Sequence, residues 1–191
     1  HRALALNAFE MSAVLGMDAS DRIFLNIPFC FSNAVSHVLM ALFHGACLCV
    51  HSGFLFGDAL IDAVKTRNIT GFAGVPAHYV RITDAVESPI ESRLRFLINS
   101  GDHLPINVLR RLLELFPHTD IHCVYGISEC APRVCSLDPS LLPQKLGSVG
   151  RPLPSTTVTV RAEDQTLLPS GELGEIYVES ACLMKGYYAN P

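Results

Sequence analysis

The chain has 191 residues, a formal net charge of −4 and 49% hydrophobic against 17% charged side chains, which places it among folded globular proteins and far from the disordered class. Its 14 Lys and Arg residues are scattered, Arg110 and Arg111 included, so no basic stripe exists and nucleic acid is excluded as a partner. No apolar run approaches the roughly 20 residues of a bilayer crossing, and the opening HRALALNAF has neither a long apolar core nor a cleavage site, so neither a membrane span nor a signal peptide is expected.

From residue 1 to about 124, helical stretches alternate with short apolar runs, the pattern of a parallel sheet covered by helices. In chain order the expectation is a strand at 23–27, a helix at 33–43, a strand at 47–50, a helix at 58–66 and a strand at 71–74. A helix at 77–86, a strand at 94–98, a helix at 106–115 and a strand at 121–124 follow. Each helix carries apolar residues at spacings of three and four, hence one buried face. Gly45, Gly53, Gly57 and Pro117 punctuate the joints.

Seven cysteines is an odd number, and Cys30, Cys47, Cys49, Cys123 and Cys182 lie in apolar stretches where thiols behave as small buried hydrophobes. This usage points to a reducing, cytoplasmic setting. His44, Cys47, Cys49 and His51 invite a metal reading, but strand alternation sets Cys47, Cys49 and His51 in line on one face instead of around a tetrahedron. No metal is assigned there.

After Gly150-Arg151-Pro152 the texture changes to alternating β-branched residues at 156–160, a turn at Pro169-Ser170-Gly171 and a strand at 175–178, which predicts antiparallel β structure. Glycine and proline cluster at 146–154. The chain therefore divides into an α/β unit, 1–150, and a partial β-rich unit, 151–191.

The stretch 120–129, DIHCVYGISE, carries the most chemistry: a strand runs out into a glycine turn bearing an aromatic ring, a hydroxyl and a carboxylate. In an open α/β sheet such a turn lies at the carboxyl end of the strands, where ligands bind. Tyr125 offers a ring face to a base, Ser128 a donor to a phosphate oxygen, and Glu129 a hard oxygen ligand to Mg²⁺. A magnesium nucleotide uses all three. The bland reading of the same residues is a plain turn with Glu129 solvated in the first turn of a helix.

Tyr125-Gly126-Ile127-Ser128-Glu129 resembles the Tyr-Gly-x-Thr-Glu motif of the AMP-forming, adenylate-forming enzymes, with Ser for Thr. Further resemblances follow in order: Ser100 to Pro105 resembles Gly-Gly-Glu-x-Leu-Pro, and Gly147 to Pro152 resembles Gly-x-x-Gly-x-Pro. Gly171 to Ile176 resembles Gly-Glu-x-Gly-Glu-Ile, and Gly186 to Pro191 resembles Gly-Tyr-x-x-x-Pro. The resemblance implies that a carboxylate attacks the α-phosphate of ATP with Mg²⁺ present, giving acyl-AMP, and that a thiol of coenzyme A or of a carrier's phosphopantetheine then takes the acyl group. It also implies that Tyr125 and Gly126 hold adenine on one side and the backbone of Gly101, Asp102 and His103 on the other. Ser128 is expected at the α-phosphate and Glu129 at the magnesium. Cys123 stands where some relatives have an asparagine that bonds the adenine amino group.

For the small carboxylic acid substrate, the resemblance implies a pocket lined by Phe31, Ser32, Ser36, His78, Ile98, Ser100, Val124 and Pro132. Ser32 occupies the place of the Asp that holds the substrate ammonium in amino-acid-activating members, so an α-amino acid is disfavoured and an apolar or aromatic acid fits better. His78 has a second reading, a polar cap on the helix after Pro76.

The chain starts at His1 without an initiator Met and stops at Asn190-Pro191, which reads as a segment excised from something longer. His1 to Leu4 resembles the stretch just after the family's phosphate loop, so that N-terminal loop and the C-terminal lysine domain are expected as missing parts of the parent chain, and the isolated segment as inactive. The segment between Tyr125 and Gly150 resembles stand-alone acyl-CoA ligases more than carrier-loading adenylation domains. Two readings of other classes stay open: a non-catalytic binding module, and an α/β hydrolase with Gly126-Ile127-Ser128 as nucleophile elbow, against which Cys130 stands where that motif needs a second glycine.

Overall fold

The apolar runs become one seven-stranded sheet in the computed structural model, which describes residues 1–51 and 57–189. The strands are β1 (Arg22–Leu25), β2 (Cys47–Val50), β3 (Gly71–Gly74), β4 (Phe96–Asn99), β5 (Asp120–Tyr125), β6 (Cys135–Ser136) and β7 (Arg151–Pro152), in the order β2-β1-β3-β4-β5-β6-β7. The first five are parallel. The last two add antiparallel at the β5 edge.

Among the described residues five helices cover this sheet: α1 (Arg2–Val14), α2 (Ser32–His44), α3 (Gly57–Thr66), α4 (Pro76–Ala85) and α5 (Ile106–Leu115). Because side chains alternate across a strand, neighbouring residues enter opposite layers. Phe24, Phe72, Leu97, Ile121 and Cys123 pack with residues of α3, α4 and α5. Ile23, Leu25, Ala73, Phe96, Ile98 and Val124 pack with Ala8 and Met11 of α1 and Met40 of α2. The result is a helix–sheet–helix sandwich. Phe72 and Tyr79 meet edge to face at 5.7 Å, and each fully buried aromatic stabilises by about 1.5 to 3 kcal/mol.

At the amino end of the sheet a buried carboxylate ties three strands together. Asp21 is fully buried, and both its oxygens lie 2.7 Å from Arg95 Nη1 just before β4. Thr70, just before β3, donates to Asp21 Oδ1 at 2.7 Å and accepts from the Arg22 N–H at 2.9 Å. Arg95 also donates to the Gly16 carbonyl beyond α1.

Beyond β7 the chain forms a two-stranded antiparallel sheet, β8 (Thr156–Arg161) with β9 (Glu175–Ser180), in which Val158 faces Val178. Its start matches the expected antiparallel β end. Arg151 and Pro152, grouped with that end by texture, pair with Ser136 and Cys135 and so extend the large sheet.

Three details depart from the sequence expectation. Helix α1 was not among the expected elements, because its buried face carries Asn7, Glu10 and Ser12 beside Ala8 and Met11 and blurs the apolar period. Strands β6 and β7 are two residues each, too short to show alternation. Cys30 and Cys47 are exposed, the second because β2 is the edge strand, whereas Cys123 and Cys182 are buried as expected and all seven cysteines are free. Gly53, Asn190 and Pro191 lie outside the described residues. No helix among the described residues is long and apolar enough to cross a membrane.

Candidate active site

The sheet order places the switch point between β1 and β3, and the crevice outside the carboxyl ends of the strands is where an open α/β sheet binds ligands. A cavity of about 860 Å³ opens there, lined by the segments that follow β1, β3, β4 and β5. A second cavity of about 290 Å³ lies on the β4–β5 side. Gly101, Asp102 and Gly126 line both.

The loop after β5 is shaped by crowding. A Cβ on Gly126 would lie 1.6 Å from the Pro132 carbonyl oxygen, so only glycine lets the two backbone strands pass. A single 3-10 turn, Ser128–Cys130, follows and ends on Ala131 in the left-handed region at φ 54°, which reverses the chain towards β6. Across the cavity mouth, Ser128 Oγ lies 2.9 Å from Ser32 Oγ at the start of α2. Its partner is thus another hydroxyl. A hydrolase would need a histidine in that place, and Cys130 is buried at the position of the elbow's second glycine.

Glu129 Oε1 accepts a hydrogen bond from the Tyr187 hydroxyl, and the Glu129 carbonyl accepts from the Met184 N–H at 2.8 Å. The hydroxyl bond holds the Glu129 carboxyl below its usual range and raises the Tyr187 phenol. Among the described residues no three His, Cys, Asp or Glu side chains converge as a metal site. Glu129 thus stands without a second converging carboxylate, an arrangement that suits only an ion held mainly by phosphate and water oxygens.

His78 lines the larger cavity and also bonds at the start of α4. Its Nδ1 accepts the Val75 N–H at 3.1 Å while its own N–H donates to the Val75 carbonyl at 2.9 Å, so it caps α4. Burial lowers its pKa and keeps the ring neutral. With Nδ1 accepting, the ring proton sits on Nε2, which meets the Asn26 carboxamide at 3.0 Å and takes its oxygen end. The far end of that carboxamide has no hydrogen-bond partner among the described residues.

The floor of the larger cavity holds a residue that sequence reasoning left out of the pocket. Arg133 is 1% exposed yet lines the cavity. Two bonds from α1 fix its backbone: Asn7 Nδ2 donates to the Arg133 carbonyl at 2.7 Å and the Arg133 N–H donates to Asn7 Oδ1 at 3.1 Å. Its Nη2 donates to Asn33 Oδ1, and Asn33 in turn donates to Ser100 Oγ at 2.6 Å. His37 lies behind, its Nδ1 2.8 Å from the Asn33 carbonyl, with a pKa lowered to about 3 by burial and by Arg133. Arg133 itself is lowered by burial to about 10 and stays protonated at neutral pH.

Of the pocket residues named from sequence, Phe31, Ser32, His78, Ser100 and Pro132 line the larger cavity. Ile98 and Val124 turn towards α1 and α2 in the core, Val124 also reaching the smaller cavity, and Ser36 is buried within α2 with its hydroxyl unpaired. Gly101, Asp102, His103, Tyr125 and Gly126 all line the smaller cavity, together with Cys123 and Asn99. Burial pushes the Cys123 thiol up to about 11, so it is a neutral wall. Asn99, its ladder partner, donates to the Asp102 carbonyl at 3.1 Å and leaves Oδ1 buried and unpaired. The residues missed from sequence are Asn26, Asn33, Asn99 and Arg133. The one signal for Arg133 was a lone cation inside the run CAPRVC.

A family model described as AMP-binding enzyme matches residues 1–188. A feruloyl-CoA synthase of Amycolatopsis sp is 31% identical over 196 residues, which cover 100% of this chain and 39% of that protein. Bacitracin synthase 3 of Bacillus licheniformis is 26% identical over 194 residues, covering 100% of this chain and 3% of that protein. Among solved structures, VinN in complex with L-aspartate superposes with a TM-score of 0.87 at 31% identity, over 100% of this chain and 47% of that one. The o-succinylbenzoate CoA synthetase MenE from Bacillus subtilis, in complex with ATP and magnesium ion, gives a TM-score of 0.88 at 22% identity over 98% of this chain and 38% of that one. That last likeness shows the fold. The chain thus spans 39% of the length of the feruloyl-CoA synthase that it matches.

Proposed function

Because the chain belongs to the AMP-binding enzyme family, we propose that the protein carrying it joins a carboxylic acid to a thiol through an acyl-adenylate. In the first step a carboxylate oxygen attacks the α-phosphorus of ATP, forming the acyl-phosphate bond while pyrophosphate leaves. In the second, a thiolate sulfur attacks the acyl carbon and AMP leaves. The reading rests on one observation above all: the two cavities share Gly101, Asp102 and Gly126 as a common wall, with Ser128 just beyond it.

The base then stacks on Tyr125 in the smaller cavity and the acid lies in the larger, so the α-phosphate falls between them. Ser128 donates to a phosphate oxygen, and Ser32 holds that hydroxyl in place through their 2.9 Å contact. The α2 amino terminus at Ser32 has no side-chain cap, so its free N–H groups and its dipole favour the negative charge that grows there. Asn99 Oδ1 supplies the acceptor for the adenine amino group that Cys123 cannot. Glu129 is the residue that would hold Mg²⁺, once released from Tyr187, and the ion would supply charge stabilisation on the phosphates.

For the acceptor we favour coenzyme A over a carrier's phosphopantetheine, since the feruloyl-CoA synthase is the more similar of the two enzymes compared, at 31% against 26% identity. Acid-dependent exchange of labelled pyrophosphate into ATP tests the first step in the protein as it occurs naturally. Ser128→Ala removes one preorganised donor to the α-phosphate and is expected to slow exchange about a hundredfold or more, while Ser128→Thr keeps it. Exchange unchanged in Ser128→Ala would refute the assignment.

A further inference from the structure

We propose that the acid taken by this site is a dicarboxylic acid, whose unreactive carboxylate sits against the Arg133 guanidinium in the larger cavity; this rests on the adenylation reading above. The motive is an uncompensated cation. Arg133 is 1% exposed, and no Asp or Glu among the described residues forms an ion pair with it. A buried charge without a partner of opposite sign is strongly unfavourable unless something supplies that partner.

The neighbours present are all neutral. Asn33 Oδ1 takes one N–H of Nη2. His37 Nδ1 lies 3.5 Å from Nη2, but that nitrogen already donates to the Asn33 carbonyl at 2.8 Å and so offers no lone pair. Among the described residues Arg133 Nε has no hydrogen-bond partner. A guanidinium carries five donors in a planar fork that fits a carboxylate, so most of its capacity is unspent.

The surroundings hold this fork in place. Asn7 clamps the Arg133 backbone from α1, and Ser100 fixes the Asn33 amide that steers Nη2. Ile27, Pro28, Val75, Pro76 and Ile127 supply apolar wall between neutral polar groups such as Asn26, Ser32 and His78, and suit an uncharged spine between two acidic ends. Asp102 is the one carboxylate of that lining; it is exposed, and its Oδ1 accepts from the His103 N–H at 2.6 Å. No anion is thus available to Arg133 from the cavity wall, and none of the lining residues is an anionic anchor for a buried ammonium.

The test uses the naturally occurring protein and matched acids: adipate, monomethyl adipate, hexanoate and 6-aminohexanoate. Two readouts are taken, acid-dependent AMP formation and the shift in Tm produced by the acid alone, without ATP. Adipate is expected to exceed its monomethyl ester by roughly 10- to 100-fold in kcat/KM, as for a hydrogen-bonded charge, with 6-aminohexanoate poorest. Arg133→Met is expected to abolish that preference and the adipate-induced Tm shift while retaining hexanoate. Equal use of adipate and its ester, or a preference for hexanoate, would overturn the proposal. So would an Arg133→Met protein that folds and yet loses all four acids equally. The ester comparison stands even where Arg133→Met does not fold. If no acid yields AMP, the adenylation reading fails separately, and an adipate-specific Tm shift would still support the anion site.

Discussion

Asn99 faces Cys123 across the parallel β4–β5 ladder, so its amide stands beside the Cys123 thiol in the wall of the smaller cavity. That geometry carries a prediction. Asn99→Val should raise the KM for ATP about tenfold, the cost of leaving the adenine amino group without its acceptor, with little change in the KM for the acid. Steady-state kinetics with each substrate varied in turn checks it; equal effects on both would assign Asn99 a purely structural part. At this scale the sequence was legible where motif and turn coincide, at Tyr125, Gly126, Ser128 and Glu129. It was least legible for Arg133, since a charged letter in a sequence reads as solvated until the fold buries it. Ile98 and Val124 show the converse: period-2 alternation sets them on the α1–α2 side, and which side borders a cavity is decided only by tertiary packing.

All five parallel strands and helices α2 to α5 were readable as elements, because each carries its apolar residues at the period of its own structure. Helix α1 was not, and its polar buried face has a use that explains it: Asn7 is there to bond the Arg133 backbone. The same logic applies at the opposite end of the sheet, where Asp21, Thr70 and Arg95 join the starts of β1, β3 and β4. Asp21→Ala leaves Arg95 and the Thr70 hydroxyl without that partner. It is expected to cost about 3 kcal/mol, the low end for a buried ion pair because the Arg95 side chain is 42% exposed. Urea unfolding measures it, and the clamp lies far enough from the cavities in the fold, at the other ends of the strands, that substrate KM values should hold. A loss below about 0.5 kcal/mol would reduce the clamp to an ordinary surface pair.

For the molecule as a whole, acid sensitivity follows from two buried histidines. Burial lowers His37 to about 3 and His122 to about 4, from an ordinary 6.5. The unfolded chain therefore binds protons that the folded one does not between these values and 6.5. Stability is fully present above pH 6.5 and falls as pH drops towards 4, at about 1.4 kcal/mol per pH unit for each histidine. Urea midpoints between pH 7.5 and 4.5 should decline steadily, and a flat profile would place both imidazoles in water.

The most direct measurement of the adenylation chemistry follows the oxygen atoms. With the carboxylate of the acid labelled with ¹⁸O, attack on the α-phosphorus leaves one labelled oxygen in the bond to phosphorus, and thiol attack at the acyl carbon releases it with AMP. The expected result is AMP carrying one ¹⁸O per turnover, formed only when acid, ATP and thiol are all present. Label appearing in inorganic phosphate with ADP, or thioester formed without label in any nucleotide, would contradict it.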